Sequence, residues 1–198
     1  MHTAHIVVDL GFGDCGKGVT VAKLVEQTDA KLVVRFNGGA QAAHNVVVGT
    51  VHHCFNQFGS GTLQGCNTYL SQKHLFNPVA LYNEAMALAT KMDVPVEKLL
   101  NGVYVNQGCL ITTSYHIFLN RVKHLVTTGV LGTCGMGIGT TIEYPVLKVS
   151  DLYKDKFVSI LRNFRETVLS LVNIYDARVE KIAKSLNINL NINESCDE

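Results

Sequence analysis

Residues 6–25 constrain the fold of the chain more than any other stretch. Ile6-Val7-Val8-Asp9-Leu10 has the composition of a buried β-strand, and Val19-Thr20-Val21-Ala22-Lys23-Leu24-Val25 carries apolar residues that suit a short helix on a sheet. Between them lies the glycine-rich loop Gly11-Phe12-Gly13-Asp14-Cys15-Gly16-Lys17-Gly18. Strand, glycine-rich loop and helix together cradle phosphates. The glycines let backbone amides approach the anion, and the helix N-terminus adds positive potential. Lys17 supplies a point charge for the outer phosphates. The spacing fits G-x-x-x-x-G-K, with Gly18 where the usual motif has the Ser or Thr that ligates Mg²⁺. The same residues also fit a purely structural glycine turn. Asp14 is the unusual member, because a carboxylate beside phosphates is costly unless a metal or a chemical task requires it.

Downstream, Lys31-Leu32-Val33-Val34-Arg35-Phe36 reads as a second strand, nearly continuous in apolar character and so expected to be covered on both faces. It runs into Asn37-Gly38-Gly39-Ala40-Gln41-Ala42-Ala43-His44-Asn45, a loop of small residues around one histidine. Residues 46–55 predict a hairpin turning at Gly49-Thr50, and Thr68–Ser71 a short strand. Asn77 as N-cap with Pro78 at the first helical position opens a helix through Met92. Val103–Val105 predicts a strand and Ser114–Leu125 a helix. Gly132-Thr133-Cys134-Gly135-Met136-Gly137-Ile138-Gly139 is a third small-residue loop. Ser150 is expected to cap a long amphipathic helix running to about Ala183, and the acidic, Asn-rich tail to fray.

These elements predict an α/β fold. The expected architecture is a P-loop-like, mostly parallel central sheet flanked by helices in a single domain. Residues 1–150 would form the nucleotide-binding part with the three loops, 151–186 the closing helices, and 187–198 a disordered tail. A formal net charge of +1 and the lack of any basic run argue against nucleic acid as a partner. No apolar segment approaches the ~20 residues of a membrane span, and the polar N-terminus is not that of a signal peptide. The six cysteines are scattered without a C-x-x-C pair, as in reduced thiols of a cytoplasmic protein. Zinc binding by Cys54 with His52 and His53 is disfavoured, since adjacent strand residues point to opposite faces. His52, His53, His116 and His124 are read as ordinary, partly exposed residues.

Loops at the carboxyl edge of a parallel sheet share a crevice, which brings Asp14, Lys17, Gln41, His44, Asn45 and Thr133 within reach of one ligand. Asp14 and His44 are the right types for an acid/base pair. His44 equally fits a histidine satisfied by backbone groups in a tight loop.

The three loops together resemble a family. Gly13-Asp14-Cys15-Gly16-Lys17-Gly18 is similar to the G-D-E-G-K-G phosphate loop of adenylosuccinate synthetase. Val33–Asn45 resembles that family's V-V-R-[YF]-x-G-G-x-N-A-G-H-T, and Gly132–Gly139 its G-T-T-G-x-G-I-G. The order and separations match over roughly residues 4 to 150. The resemblance implies a ligase that joins aspartate to the 6-position of IMP at the expense of GTP, with Mg²⁺. It implies Asp14 as proton acceptor and metal ligand, and His44 as the assistant of phosphoryl transfer. GTP would lie against Gly13, Asp14, Cys15, Gly16, Lys17, Gly18, Val19, Ala43, His44 and Asn45. IMP would lie against Asp14, Lys17, Gln41, Ala42, Ala43, His44, Cys134 and Lys148, with Mg²⁺ on Asp14 and the Ala43 carbonyl.

Several positions depart from the pattern. Cys15 replaces a Glu, and Val19 a Lys. Gln41 replaces the Asn that touches IMP, Asn45 the following Thr, and Ala43 a Gly. Cys134 replaces a phosphate-binding Thr and Met136 a frequent basic residue. The Arg that reaches the phosphate from the neighbouring subunit falls nearest Lys148. Cysteine is a poorer phosphate donor than threonine, and lysine lacks the arginine fork. Nothing between Ser150 and Glu198 resembles the guanine-recognition or aspartate-binding segments, which the family carries downstream. The resemblance implies a homodimer, and the missing segments a chain supplying the C-terminal half, as the expected partner. The alternatives are a nucleotide-binding module without ligase activity, or a ligase using another purine monophosphate such as dGMP.

Overall fold

The computed structural model describes residues 3–11, 13, 15–126 and 133–185. Asp14 lies outside the described residues, as do Gly132 of the third loop and the tail at 187–198. Helix α1 (Lys17–Thr28) leads into strand β1 (Leu32–Gly38), the hairpin strands β2 (His44–Val48) and β3 (Val51–Phe55), and strand β4 (Asn67–His74). Helices α2 (Pro78–Met92) and α3 (Val96–Leu100), strand β5 (Val103–Val105), and helices α4 (Ser114–Val126), α5 (Ile138–Glu143) and α6 (Phe157–Ser185) follow. β1, β4 and β5 form a parallel sheet in that order, and β2 and β3 pair antiparallel with His44 opposite Phe55. The fold is α/β, a parallel sheet with helices packed on it.

The strongest local signals behave as expected. Asn77 Oδ1 accepts from Ala80 N at 3.0 Å and Pro78 opens α2. Leu81, Ala85 and Leu88, at helical spacing, are buried against Phe55, Phe58, Leu70, Phe76 and Ile111. The loop after β3 is fastened to this helix. Buried Glu84 accepts from Asn56 N at 2.8 Å, Gln57 N at 2.7 Å and Phe58 N at 3.4 Å. Arg35 of β1, also buried, donates from Nη1 to the Phe58 carbonyl at 3.2 Å. Sheet, hairpin and α2 thus share one polar seam inside an apolar core.

Among the described residues the sheet is covered on one face only, contrary to the reading of β1 as a doubly buried strand. For parallel strands in the order β1-β4-β5, crossovers of the usual right hand would carry both connections over the same side. Val33, Arg35, Thr68 and Leu70 point into that side and are buried. Leu32, Val34 and Phe36 alternate outward and are 48%, 53% and 61% exposed.

Two further expectations are corrected. Ile6–Leu10 forms no strand, and Ile6, Val8 and Leu10 are 87%, 68% and 99% exposed. A strand of this composition needs both a neighbour and a covering layer. The chain instead turns at Asp9, whose Oδ1 accepts from Gly11 N at 2.8 Å. Nor does Ser150 cap the long helix. Val149 N and Ser150 N donate to the carbonyls of Cys109 and Gln107, stitching a short 3₁₀ turn (Val149–Tyr153) to the loop before α4. The helix starts at Phe157, after that tether. It packs Phe164 and Val168 on Leu119 of α4.

Candidate functional site

The loop at Gly16–Val19 meets the start of β2 because Gly18 has no side chain. A Cβ on Gly18 would lie 2.8 Å from His44 Cβ and 3.2 Å from its Cα. This contact closes a cavity of ≈ 390 Å³ lined by Cys15, Gly16, Lys17, Gly18, Val19, Ala43, His44 and Asn45. Gly16 caps α1 in the left-handed conformation, and the first intrahelical bond runs from Thr20 N to Gly16 O. The amides of Lys17, Gly18 and Val19 precede that bond, which is the anion-binding end of a helix.

At the rim of the cavity the charges are unequal. Lys17 Nζ pairs with Asp9 Oδ2, and that carboxylate also meets Cys15. Contacts with the Cys15 thiol, Lys17 and the Gly11 amide hold the Asp9 carboxyl well below the usual carboxylate range. The same contact pushes the Cys15 thiol up, keeping it protonated. His44 is half-buried. Burial, followed by the charges of Arg35 and Lys17, brings its pKa down to about 4. Its imidazole is therefore neutral at pH 7 and can donate through a single N–H. Asn45 Oδ1 lies 3.1 Å from His52 Nε2, which orients the outer rim.

The second and third motifs also converge. Gly39 lies so close to the start of α5 that a Cβ there would sit 2.7 Å from Ile138 Cδ1. Around that start, Thr133 Oγ1 donates to Asn120 Oδ1 at 3.2 Å and Arg121 Nε donates to the Gly135 carbonyl at 3.4 Å. Gln41, Ala42, Cys134 and Lys148 do not line the 390 Å³ cavity. Cys134 and Lys148 are exposed, and Lys148 N donates to Asp151 Oδ2 at 2.9 Å. Met136 faces a separate cavity of ≈ 580 Å³ bordered by Asn83, Thr113 and Arg121.

Two residues near the site were not singled out from the sequence. Asp9 is the one charged residue in an otherwise apolar run, and that isolation was the available signal. Arg35 acts on His44 through its charge, and its place in the strand pattern hides that effect. Two histidines are also buried rather than partly exposed. His53 sits on the inward face of β3, 3.6 Å by Nε2 from Glu84 Oε1. His116 accepts from Thr113 N at 3.0 Å, while its Nε2 lies 2.9 Å from the Tyr144 carbonyl.

Burial also lowers His74 to about 4, and lowers His116. For each of these and for His44, the folded value lies below the ordinary 6.5, so folding favours the neutral ring. Their stabilisation is complete above pH 6.5 and is lost as pH falls from about 6.5 toward about 4. The expected result is a melting temperature that drops on acidification across that window, measured by circular dichroism. A flat profile there would contradict the burial of these rings.

Among the described residues, no helix is long and apolar enough to cross a membrane. Residues 6–197 match the family model described as adenylosuccinate synthetase. The chain is 33% identical over 153 residues to the adenylosuccinate synthetase of Francisella philomiragia subsp. philomiragia, covering 77% of this chain and 35% of that one. It is 34% identical over 154 residues to that of Francisella tularensis subsp. novicida, with the same shares covered. A solved structure described as fully ligated adenylosuccinate synthetase from Plasmodium falciparum superposes with a TM-score of 0.67 at 20% identity, over 87% of this chain and 42% of that one. The chain thus spans about 35% of the length of these curated relatives. With three ordered loops, a shared fold and a match along nearly its whole length, the chain belongs to the adenylosuccinate synthetase family.

Proposed function

We propose that this chain is the phosphate-handling part of an adenylosuccinate synthetase-like ligase, which uses GTP to condense IMP with L-aspartate. The observation that supports this best is the cavity placing the start of α1 across from His44. In this reading the amides of Gly16–Val19 and Lys17 hold the outer phosphates, and Ala43 and Asn45 form the opposite wall. Asp14 takes the N1 proton of the purine, which makes the 6-oxygen nucleophilic. His44 donates its single N–H to the transferring phosphoryl group, whose negative charge favours a protonated ring and offsets the effect of burial. The amine of aspartate then displaces phosphate from the 6-position. Gln41, Ala42, Cys134 and Lys148 belong to the IMP side, with Lys148 reaching from a second copy in a homodimer.

Oxygen donors are what Mg²⁺ takes, and the Asp14 carboxylate with the Ala43 carbonyl would hold it. When bound it neutralises charge on the transferring phosphoryl group. The bare sheet face around Val34 and Phe36 is where polypeptide equivalent to the remainder of the family fold would pack, and a cytoplasmic setting follows from the substrates.

A second reading is a nucleotide-binding module without ligase activity. The 35% coverage of relatives and the replacements Cys15, Val19 and Cys134 favour it. The deciding assay is phosphate release with GTP, Mg²⁺ and IMP, with and without aspartate. The ligase reading expects aspartate-dependent release, abolished by Asp14→Asn. Binding of GTP with no release would leave the module, and release with dGMP but not IMP would reassign the purine.

A further inference from the structure

We infer that Asp9 is an internal anion at the rim of the phosphate cradle, which an incoming polyphosphate must displace from Lys17, so that Asp9 sets the affinity of the site. The inference rests on the reading of this cavity as a phosphate site. Gly11, Cys15 and Lys17 gather around the Asp9 carboxylate as they would around a ligand. A backbone amide (Gly11 N, 2.8 Å) and an ammonium (Lys17 Nζ) address it, beside the Cys15 thiol, which donates to the Gly13 carbonyl at 3.0 Å. These are the donor types that would bind a phosphate oxygen. The Asp9 side chain is only 14% exposed, and that of Lys17 33%. The ammonium is thus partly withdrawn from solvent by its own partner.

A displaced carboxylate stays tethered eight residues from Lys17 and repels the phosphates that replace it. Both effects oppose binding. They would be absent if position 9 were neutral. Asparagine retains an oxygen for the Gly11 amide and so keeps the turn, while removing the charge that competes for Lys17.

The experiment compares the full chain with its Asp9→Asn and Asp9→Ala variants. Inorganic tripolyphosphate is titrated calorimetrically at fixed ionic strength without divalent cations. Melting curves verify that each variant is folded. The expected result is binding about 2- to 5-fold tighter in both variants, consistent with relief of one partly exposed ion pair. Equal or weaker binding in the variants, with clear binding by the wild type, overturns the role of Asp9 and leaves the phosphate site intact. Absence of binding by all three overturns the phosphate site and this inference together.

Discussion

A chain carrying Lys17→Ala is expected to bind GTP about 10²-fold more weakly than the wild type. The side chain lines the cavity beside the α1 N-terminus, where amides alone would remain to hold the phosphates. A hydrogen bond to a charged partner contributes about 1.5–3 kcal/mol, or roughly ten- to hundredfold in affinity. The loss is compounded because Asp9 would stand beside the phosphates with no cation between them. Lys17→Arg should recover part of the affinity, since charge is restored but not the compact ammonium. Stability should change little, because this pair lies at the rim and partly exposed pairs contribute at most about 1 kcal/mol. Calorimetric titration, paired with a melting curve, separates the two effects. Unchanged affinity would place the phosphates elsewhere.

Glu84→Ala is expected to cost about 3–5 kcal/mol of stability. The carboxylate receives three consecutive backbone amides from residues 56–58 and lies 3.6 Å from buried His53. Its removal strands those donors, two of them buried and one part-buried, and each buried orphan costs about 1–3 kcal/mol. Breaking buried charged networks costs similar totals. For a chain of this size, about 3 kcal/mol lowers the melting temperature by about 6–12 °C. Glu84→Gln should cost less, because one oxygen survives to accept. The same loop gives its Phe58 carbonyl to Arg35, so loosening it also frees the charge that depresses His44. Urea unfolding tests this. A midpoint equal to the wild type would contradict the proposed lock.

Elements specified by neighbours in sequence were the most legible. The Asn77-Pro78 start of α2 needs only its own first turn, and the hairpin needs only Gly49 at φ +58° and two short apolar strands. Elements that depend on distant partners were not. Ile6–Leu10 has strand composition, but composition cannot supply a neighbour or a second layer. The outward residues of β1 read as buried because Leu, Val and Phe look alike on a covered face and a bare one. The start of α6 was misplaced because the bonds of Val149 and Ser150 to residues 107–109 are non-local. At the site, the sequence pattern pointed to Gly16–Val19 through its glycine-rich loop and to Ala43–Asn45 through the family resemblance, and both segments line one cavity. The pattern could not identify Asp9 as a partner of Lys17, since that contact depends on the strand not forming.

Amide chemical shifts of the ¹⁵N-labelled chain during addition of Mg²⁺ and GTP provide the most direct test of where phosphates bind. The largest changes are predicted at Gly16–Val19 and Ala43–Asn45, and they should vanish in Lys17→Ala. Changes confined to the cavity bordered by Asn83, Thr113 and Arg121, or no changes at all, would contradict a phosphate cradle at the start of α1.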